Sequence, residues 1–424
     1  MQQLSYGEFS SRFHLRARGQ RVPLNATLEL TRRCPLACSH CYNNLPMNDS
    51  AARQAELSLD EYRQLLDEMA NEGCLWLLFT GGEIFARRDF LEIYTHAKKK
   101  GFLITLFTNG TQITPAIADY LKEWPPFAIE ITLYGRTQGT YERLTRVPGS
   151  YEKCLRGIRL LKERGLPLKL KTVAVTVNKH EVWEMKELAE DLGLEFKFDS
   201  MLNPRIDCSL SPLEVRLRPE EIVELDALDP ERVTEWRRFA AQAVGPVHTP
   251  DKADELYHCG GGVNSFAINP YGRMSICVLS QADTFDVRGG GFREAWTQSL
   301  LKVRQRKISR PTKCVSCQLK ALCGMCPANG ELENGDPEKP VDFLCHVAHL
   351  RAAVLGISVP AHGDCEYCVG AKFEDVQRSG ARLRARYLDP PAAPLASSGE
   401  AILPETPKST GGCASGGCSS CAPH

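Results

Sequence analysis

The sequence predicts an α/β fold in which a parallel sheet forms a partial barrel. Between about Ala26 and Ser200, short apolar segments alternate with helical patterns, which is typical of parallel strands joined by crossover helices. Six such units make up most, but not all, of a closed eight-unit barrel. The predicted strands are 27–30, 75–79, 103–107, 127–133, 168–176 and 194–198.

Local start and stop signals justify the elements in order. Ser58 and Glu61 form a capping box that opens a helix with apolar positions at Leu65, Leu66 and Met69. Further helices are predicted after the second strand as far as residue 101, around residues 155–161 and near 181–192. A weaker pattern over 203–250 contains one predicted helix near 231–243. The polar and glycine-rich residues follow the strands, where barrel active sites lie.

The composition excludes several classes of protein. The chain has 424 residues, of which 52 are basic and 52 acidic, so its formal net charge is zero. This balance argues against a nucleic-acid or membrane-surface binder. No run of 18 apolar residues predicts a transmembrane helix, and the polar N-terminus lacks a signal-peptide core. Eighteen cysteines at metal-like spacings, without an export signal, indicate metal or iron–sulfur ligation in a reducing cytoplasm.

The most informative stretch follows the first strand. Cys34, Cys38 and Cys41 form a C-x3-C-x2-C loop. Soft thiolates are the usual ligands of iron–sulfur clusters, and three of them would leave one iron of a [4Fe–4S] cluster open. The spacing does not fit a closed zinc site, which would need another cysteine pair or a histidine pair nearby. His40 lies within the loop and is interpreted as a packing residue.

This motif resembles the radical S-adenosylmethionine (SAM) superfamily, whose open iron binds the amino and carboxylate groups of SAM. The resemblance implies a partial (β/α)6 barrel and a reduced cluster that cleaves SAM to methionine and a 5′-deoxyadenosyl radical. Gly81, Gly82 and Glu83 after the second strand resemble the GGE motif that holds the SAM amine. By the same resemblance, the remaining SAM-binding candidates are Thr108, Asn109, Thr132 and Arg143. Ordinary turn or surface roles remain the alternative for these four residues.

A second group of cysteines lies in residues 251–350. A predicted hairpin over 265–277 separates Cys259 from Cys277, and a C-x2-C-x5-C-x2-C run follows. Two C-x2-C pairs could form a zinc ribbon, but the number of cysteines exceeds one zinc site. The order resembles the SPASM extension of radical SAM enzymes, which implies two auxiliary [4Fe–4S] clusters. The implied distal ligands are Cys314, Cys317, Cys323 and Cys345, and the implied nearer ligands are Cys259, Cys277 and Cys326.

The resemblance leaves two details of these clusters open. The last pair in the run is C-x2-C, where the family usually has C-x3-C, so the division of the seven cysteines between the two clusters stays open. The nearer cluster has three cysteines; either another residue such as His258 completes it, or one iron is open to a substrate thiolate. The sequence does not decide whether Cys365 and Cys368 form a redox pair or a metal clip.

The predicted organisation combines these segments. It consists of an N-terminal extension (1–25), a radical SAM partial barrel (26–202), a bridging region (203–250), a SPASM domain (251–350), a C-terminal helix with the C-x2-C segment (351–388) and a disordered tail (389–424). The tail is rich in Pro, Ala, Ser and Gly and carries Cys413, Cys418 and Cys421. Preorganised cysteines are not expected in such a segment.

The resemblance implies an enzyme that abstracts hydrogen from a peptide or protein, forming a crosslink or thioether or oxidising a side chain. Its implied partners are that substrate and a low-potential electron donor such as ferredoxin or flavodoxin. About 25 residues precede the first strand, too few for a leader-binding domain, so a separate recognition protein is expected for a leader-bearing substrate. The alternatives are oxidation or decarboxylation of a small molecule in cofactor or haem biosynthesis, and a non-catalytic iron–sulfur or zinc scaffold.

Overall fold

A computed structural model describes residues 5–17, 19–243 and 254–389. Its strands are β1 Asn25–Glu29, β2 Arg33–Cys34, β3 Leu45–Pro46, β4 Trp76–Thr80, β5 Leu103–Thr108, β6 Ala128–Thr132, β7 Leu168–Val173, β8 Glu195–Asp199, β9 Ser265–Ile268, β10 Arg273–Ser275 and β11 Phe285–Asp286. The tail cysteines Cys413, Cys418 and Cys421 lie outside the described residues.

Helices cover the sheet and connect its strands. They are α1 Tyr6–Arg16, α2 Ser50–Ala55, α3 Leu59–Asn71, α4 Phe90–Lys99, α5 Pro115–Glu123, α6 Gln138–Thr145, α7 Ser150–Glu163, α8 Val182–Asp191, α9 Pro219–Leu228, α10 Pro230–Ala243, α11 Val287–Glu294, α12 Leu300–Arg304, α13 Pro327–Asn334, α14 Asp342–Leu355 and α15 Ala371–Tyr387. The predicted capping box begins α3, where Ser58 and Glu61 exchange backbone–side-chain hydrogen bonds.

The main sheet confirms the α/β prediction. In the described chain it has nine strands in the order β11-β10-β9-β1-β4-β5-β6-β7-β8. All neighbouring pairs from β1 to β8 are parallel. Their carboxyl ends therefore meet at one edge, which we call the upper rim. The core beneath the rim is apolar, with Leu28, Phe79, Leu106 and Ile131 fully buried.

The strand predicted over 168–176 is too long. β7 ends at Val173 because the chain turns immediately afterwards. The side-chain oxygen of Asn178 accepts a hydrogen bond of 2.8 Å from the backbone N–H of Val175, which removes that donor from the sheet.

The predicted hairpin is confirmed, but its position beside β1 in the main sheet was not predicted. β9 and β10 are antiparallel, but β9 also pairs in parallel with β1, so the hairpin extends the barrel sheet. Strand pairing therefore crosses the predicted boundary at residue 251.

The bridging region is more regular than predicted. It contains α9 in addition to α10, so the prediction of one helix is wrong. Pro219 occupies the first turn of α9, where its fixed φ and missing N–H are compatible with a helix. Asp226 of α9 accepts hydrogen bonds from Arg351 of α14 at 3.0 and 2.7 Å, which ties the bridge to the C-terminal region. Within the described residues, no helix combines the length and apolarity needed to span a membrane.

Candidate active site and metal centres

The three-cysteine loop leaves β1 at the upper rim. Cys34 and Cys38 are buried, and Cys41 is partly buried. The backbone N–H groups of Ala37 and Ser39 donate to carbonyl groups at the end of α6, at 3.0 and 3.1 Å. These contacts hold the loop in place, so its three thiols are presented together by an ordered backbone.

The glycines of the GGE segment allow the chain at the end of β4 to approach this loop closely. A Cβ on Gly81 would lie 2.2 Å from the carbonyl oxygen of Thr31, and Gly81 has a φ of 132°. A Cβ on Gly82 would lie 2.5 Å from the carbonyl oxygens of Arg32 and Arg33. The N–H of Gly82 donates to Thr31 at 2.7 Å. Side chains at either glycine would therefore separate the motif from the cysteine loop.

Glu83 joins two strand ends at the rim. It is 1% exposed, and its carboxylate accepts hydrogen bonds from the Thr108 hydroxyl at 2.7 Å and the Asn109 N–H at 2.8 Å. Burial raises the pKa of Glu83 to about 7 in spite of these donors. The structure thus brings together Glu83, Thr108 and Asn109 at the upper rim.

Asn109 connects this network to the cysteine loop. Its side-chain amide donates towards the Sγ of Cys34 at 3.5 Å. Its side-chain oxygen accepts from the N–H and the hydroxyl of Thr111, at 2.9 and 2.6 Å. Because both ends of the amide are used, the orientation of Asn109 relative to the thiol is well defined.

Thr132 ends β6 beside an aromatic residue that the sequence analysis did not single out. This residue, Tyr134, packs against the buried cluster of Cys34, Leu36 and Cys38. Burial raises the pKa of Cys38 well above its usual value, and the contact with Tyr134 partly offsets the rise. His40 packs on Tyr134 with ring centroids 5.1 Å apart, in line with its interpretation as a packing residue. Burial lowers the pKa of His40 to about 4, so the ring is neutral at pH 7.

Arg143 has a different environment from the other rim candidates. It lies exposed on α6, and its guanidinium donates to the carbonyl oxygen of Val177 at 3.2 Å. The structure therefore does not bring this side chain into the network of Glu83 and Asn109. Its contact with a SAM carboxylate stays a prediction.

The C-terminal cysteines surround a cavity of about 350 Å³. Residues on its wall include Cys259, Cys314, Cys317, Cys323, Cys326 and Cys345. Cys277 lies close to Cys326 and Cys259, and burial, together with these two thiols, raises its pKa to about 11. His258, the suggested additional ligand, also lines the cavity. All seven predicted auxiliary cysteines thus gather in one region.

Comparison with known proteins gives this arrangement its context. Residues 28–192 match the radical SAM superfamily. A PqqA peptide cyclase from Granulibacter bethesdensis is 31% identical over 352 residues, which cover 80% of this chain and 92% of that protein. The chain belongs to the radical SAM superfamily. An AdoMet-dependent heme synthase from Methanosarcina barkeri is 28% identical over 327 residues, covering 73% of this chain and 92% of the relative. The crystal structure of Streptococcus suis SuiB bound to S-adenosylmethionine shares the fold, with a TM-score of 0.59 and 16% identity over 81% of this chain and 82% of SuiB.

Membership of this superfamily makes the chain an enzyme and implies a [4Fe–4S] cluster and SAM. The rim of this radical SAM protein fits that pair of cofactors. Three thiols occupy one loop, and a cavity of about 290 Å³ lies against Cys34, Leu36, Asn44 and Met47. Three thiolates supply one ligand fewer than a four-iron cluster requires, which leaves a site for a non-protein ligand.

Two features of the radical SAM barrel could not be found from local sequence. Arg205 from the bridging region donates to the backbone carbonyl oxygen of Cys41 at 3.2 Å and to that of Asn44 at 3.0 Å, bracing the loop although it is 164 and 161 residues away in the sequence. On β6 and β7, Glu130 and Lys171 form an ion pair at 3.2 Å. Burial lowers the pKa of Lys171 to about 7. The spacing of charged residues within a predicted strand does not show whether their side chains are buried or lie on the surface.

Proposed function

We propose that this radical SAM enzyme abstracts hydrogen from a peptide or protein, leading to a crosslink, a thioether or side-chain oxidation. The observation that carries the proposal is the similarity to the PqqA peptide cyclase, which extends over 92% of that relative's length. A match limited to the barrel would support the cofactor chemistry alone. This match also includes the C-terminal half, where substrate-specific features are expected.

The rim residues have distinct roles in the proposal. Cys34, Cys38 and Cys41 hold the cluster, and Gly81 and Gly82 let the SAM-binding strand end approach it. When bound, the cluster and SAM supply reductive carbon–sulfur cleavage and the radical that removes a substrate hydrogen. The further SAM contacts that we propose are Glu83, Thr108, Asn109, Thr132 and Arg143.

Glu83 has its carboxylate oxygens turned towards β5, where they accept hydrogen bonds from Thr108 and Asn109. We therefore assign it a positioning role as well as the proposed contact with the SAM amine. An ammonium group close to this buried carboxylate would favour its ionised form and offset the effect of burial on its pKa.

For the C-terminal region we propose a SPASM-type arrangement with two auxiliary [4Fe–4S] clusters. Cys314, Cys317, Cys323 and Cys345 would hold the distal cluster, and Cys259, Cys277 and Cys326 the nearer one. A structural zinc ribbon would bring four of these sulfurs to single-ion distance. Among the described residues, these cysteines do not form a group with all ligand atoms within 4.8 Å. Wider spacing supports clusters, because each sulfur then binds a different iron.

The nearer cluster has either His258 or a substrate thiolate as its fourth ligand in this proposal. Addition of a thiol-bearing peptide should change the spectrum of that cluster if the iron is open to substrate. An unchanged spectrum, together with a spectral change in a His258→Ala variant, would assign the position to His258 instead.

Oxidation or decarboxylation of a small molecule is a second candidate. It is supported by the 28% identity to the AdoMet-dependent heme synthase over 92% of that relative. A short precursor peptide encoded beside this chain would favour the first candidate. In either case we propose ferredoxin or flavodoxin as electron donor, and a separate recognition protein where the peptide carries a leader.

The first experiment uses the full chain, purified anaerobically and reconstituted with iron and sulfide. Three four-iron clusters correspond to about twelve irons per chain. With SAM and dithionite, we expect 5′-deoxyadenosine, and we expect a variant with Cys34, Cys38 and Cys41 changed to alanine to lose it together with about four irons. Zinc in the auxiliary positions, or intact SAM, would reject the proposal.

A matched control is a Cys208→Ala variant. Cys208 is exposed and belongs to neither proposed group. It should retain the iron content and the 5′-deoxyadenosine yield of the unmodified chain. Losses in this control would mean that cysteine replacement itself impairs the protein, and the triple variant would then require a second design with serine.

A further inference from the structure

A further group of metal-ligating side chains lies at the junction of α14 and the segment that precedes α15. Within the part of the chain that the structure describes, one group of metal-ligating side chains has all its ligand atoms within 4.8 Å of one another. It consists of His349, His362, Cys365 and Cys368. Three of the four residues are almost fully buried, with His349 5%, His362 7% and Cys365 2% exposed.

The distances within the group match those around a tetrahedral ion. The Nε2 atom of His349 lies 3.6 Å from the Sγ of Cys365 and 3.6 Å from the Sγ of Cys368. The Nδ1 atom of His362 lies 3.4 Å from the Sγ of Cys368. Tetrahedral zinc, about 2.0–2.1 Å from nitrogen and 2.3 Å from sulfur, places these ligands about 3.6 Å apart.

His349 is already oriented for ligation. Its Nδ1 atom lies 2.8 Å from the backbone carbonyl oxygen of Cys345, one helical turn earlier on α14. A proton on Nδ1 donates to this carbonyl, so Nε2 is left as a lone-pair donor aimed at both sulfurs. Histidine ligands of metals are commonly fixed by such a contact to the other ring nitrogen.

The C-x2-C segment is also shaped for a single ion. The N–H of Cys365 donates to the carbonyl of His362 at 3.3 Å, and the N–H of Cys368 donates to the carbonyl of Cys365 at 3.0 Å. These successive turns place His362 and both thiols on one side of the backbone. Both cysteines are free thiols, and each contacts the same nitrogen of His349.

We propose that His349, His362, Cys365 and Cys368 bind one structural Zn²⁺. A closed set of two imidazoles and two thiolates is typical of structural zinc and leaves no open position for catalysis. Binding displaces the two thiol protons to solvent, and the resulting centre of Zn²⁺, two thiolates and two neutral imidazoles has no net charge. That neutrality suits a site with little exposure to water.

The centre would clamp the C-terminal helix to the wall of the cysteine cavity, which His349, His362 and Cys365 themselves help to line. His349 is on α14, which carries Cys345, while Cys368 lies three residues before Ala371, the first residue of α15. Zinc would therefore hold the carbonyl and side chain of Cys345 in place through the backbone of α14. The zinc site stands on its own contacts and does not depend on the activity proposed above.

The test is an element-specific measurement on the full chain. After anaerobic purification with zinc and iron supplied, mass spectrometry should give about one zinc per chain. X-ray absorption spectroscopy at the zinc edge should show two sulfur and two nitrogen neighbours of the zinc ion, without interference from iron. A shell of three or four sulfurs, or no zinc in the folded chain, would overturn the proposal whatever the behaviour of variants.

Variants locate the ion. A Cys365→Ser, Cys368→Ser double variant should lose the zinc and keep its iron, whereas replacing Cys413, Cys418 and Cys421 with serine should leave the zinc bound. Retention of zinc by the double variant, loss of iron in place of zinc, or a Cys365–Cys368 disulfide in the unmodified chain would each refute the site.

Discussion

The close approach of Gly82 at the upper rim gives a sharp test of how the radical SAM site is built. In Gly82→Ala, the new Cβ would lie 2.5 Å from two backbone carbonyl oxygens of the cysteine loop, whereas ordinary contacts begin near 3.4 Å. The backbones must separate by about 0.9 Å, because carbonyl oxygens of a held loop cannot rotate away as a side chain can.

The separation weakens two hydrogen bonds, from the N–H of Gly82 to Thr31 at 2.7 Å and from the N–H of Glu83 to Arg33 at 3.0 Å. Each contributes about 1 kcal/mol, and overpacking adds about 1–3 kcal/mol. We therefore expect a loss of about 3–5 kcal/mol, which lowers the unfolding midpoint of a chain of this size by about 3–6 °C. SAM cleavage should fall with it, because the strand end moves away from Cys34.

The measurement is a thermal melt of the anaerobic chain together with its 5′-deoxyadenosine yield. Gly139→Ala is the matched control, since its added Cβ meets nothing within 4 Å and lies in α6. Alanine there should be neutral or stabilising by about 1 kcal/mol. A Gly82→Ala protein that melts and cleaves SAM like the control would refute the close-approach argument.

Three further predictions concern charge at the rim and inside the barrel. Because burial raises the pKa of Glu83 to about 7, the native SAM-free chain binds an extra proton between pH 4.5 and 7. Its stability should fall as pH rises through that window, by up to about 3 kcal/mol, and Glu83→Gln should abolish the slope in pH-dependent denaturant unfolding. Asn109→Asp removes the amide donor to Cys34 and adds negative charge; the first cluster should then have a lower reduction potential in an EPR titration, and an unchanged potential would contradict the contact. Burial lowers the pKa of Lys171 to about 7, so stability should rise with pH from 7 towards 10.5. Lys171→Met should remove that rise while leaving Glu130 paired with Lys197. A rise that persists in this variant would show that groups other than Lys171 cause it.

The parts of this protein that the sequence determined by itself rest on short-range patterns. Residues close together in the sequence are enough to predict the capping box at Ser58, the hairpin over 265–277 and the parallel strands. The loop of Cys34, Cys38 and Cys41 is equally local. Strand-end motifs could be assigned to one edge because parallel strands all finish on the same side of their sheet.

The tertiary structure decided the contacts between those pieces. It placed the hairpin beside β1, turned Glu83 towards β5, and left Arg143 exposed on α6. It also showed that the rim glycines are needed for backbone contact with the cysteine loop.

The clearest contrast is the group around Cys365 and Cys368. Their spacing indicated a metal clip or a redox pair and could not separate the two. The decision depends on His349, which lies on another helix and reaches both sulfurs only after α14 packs against the segment before α15. A pattern of neighbouring residues specifies a local turn. The remaining ligand of a site can come from a distant element, and only the packing of the core determines which element lies against the turn.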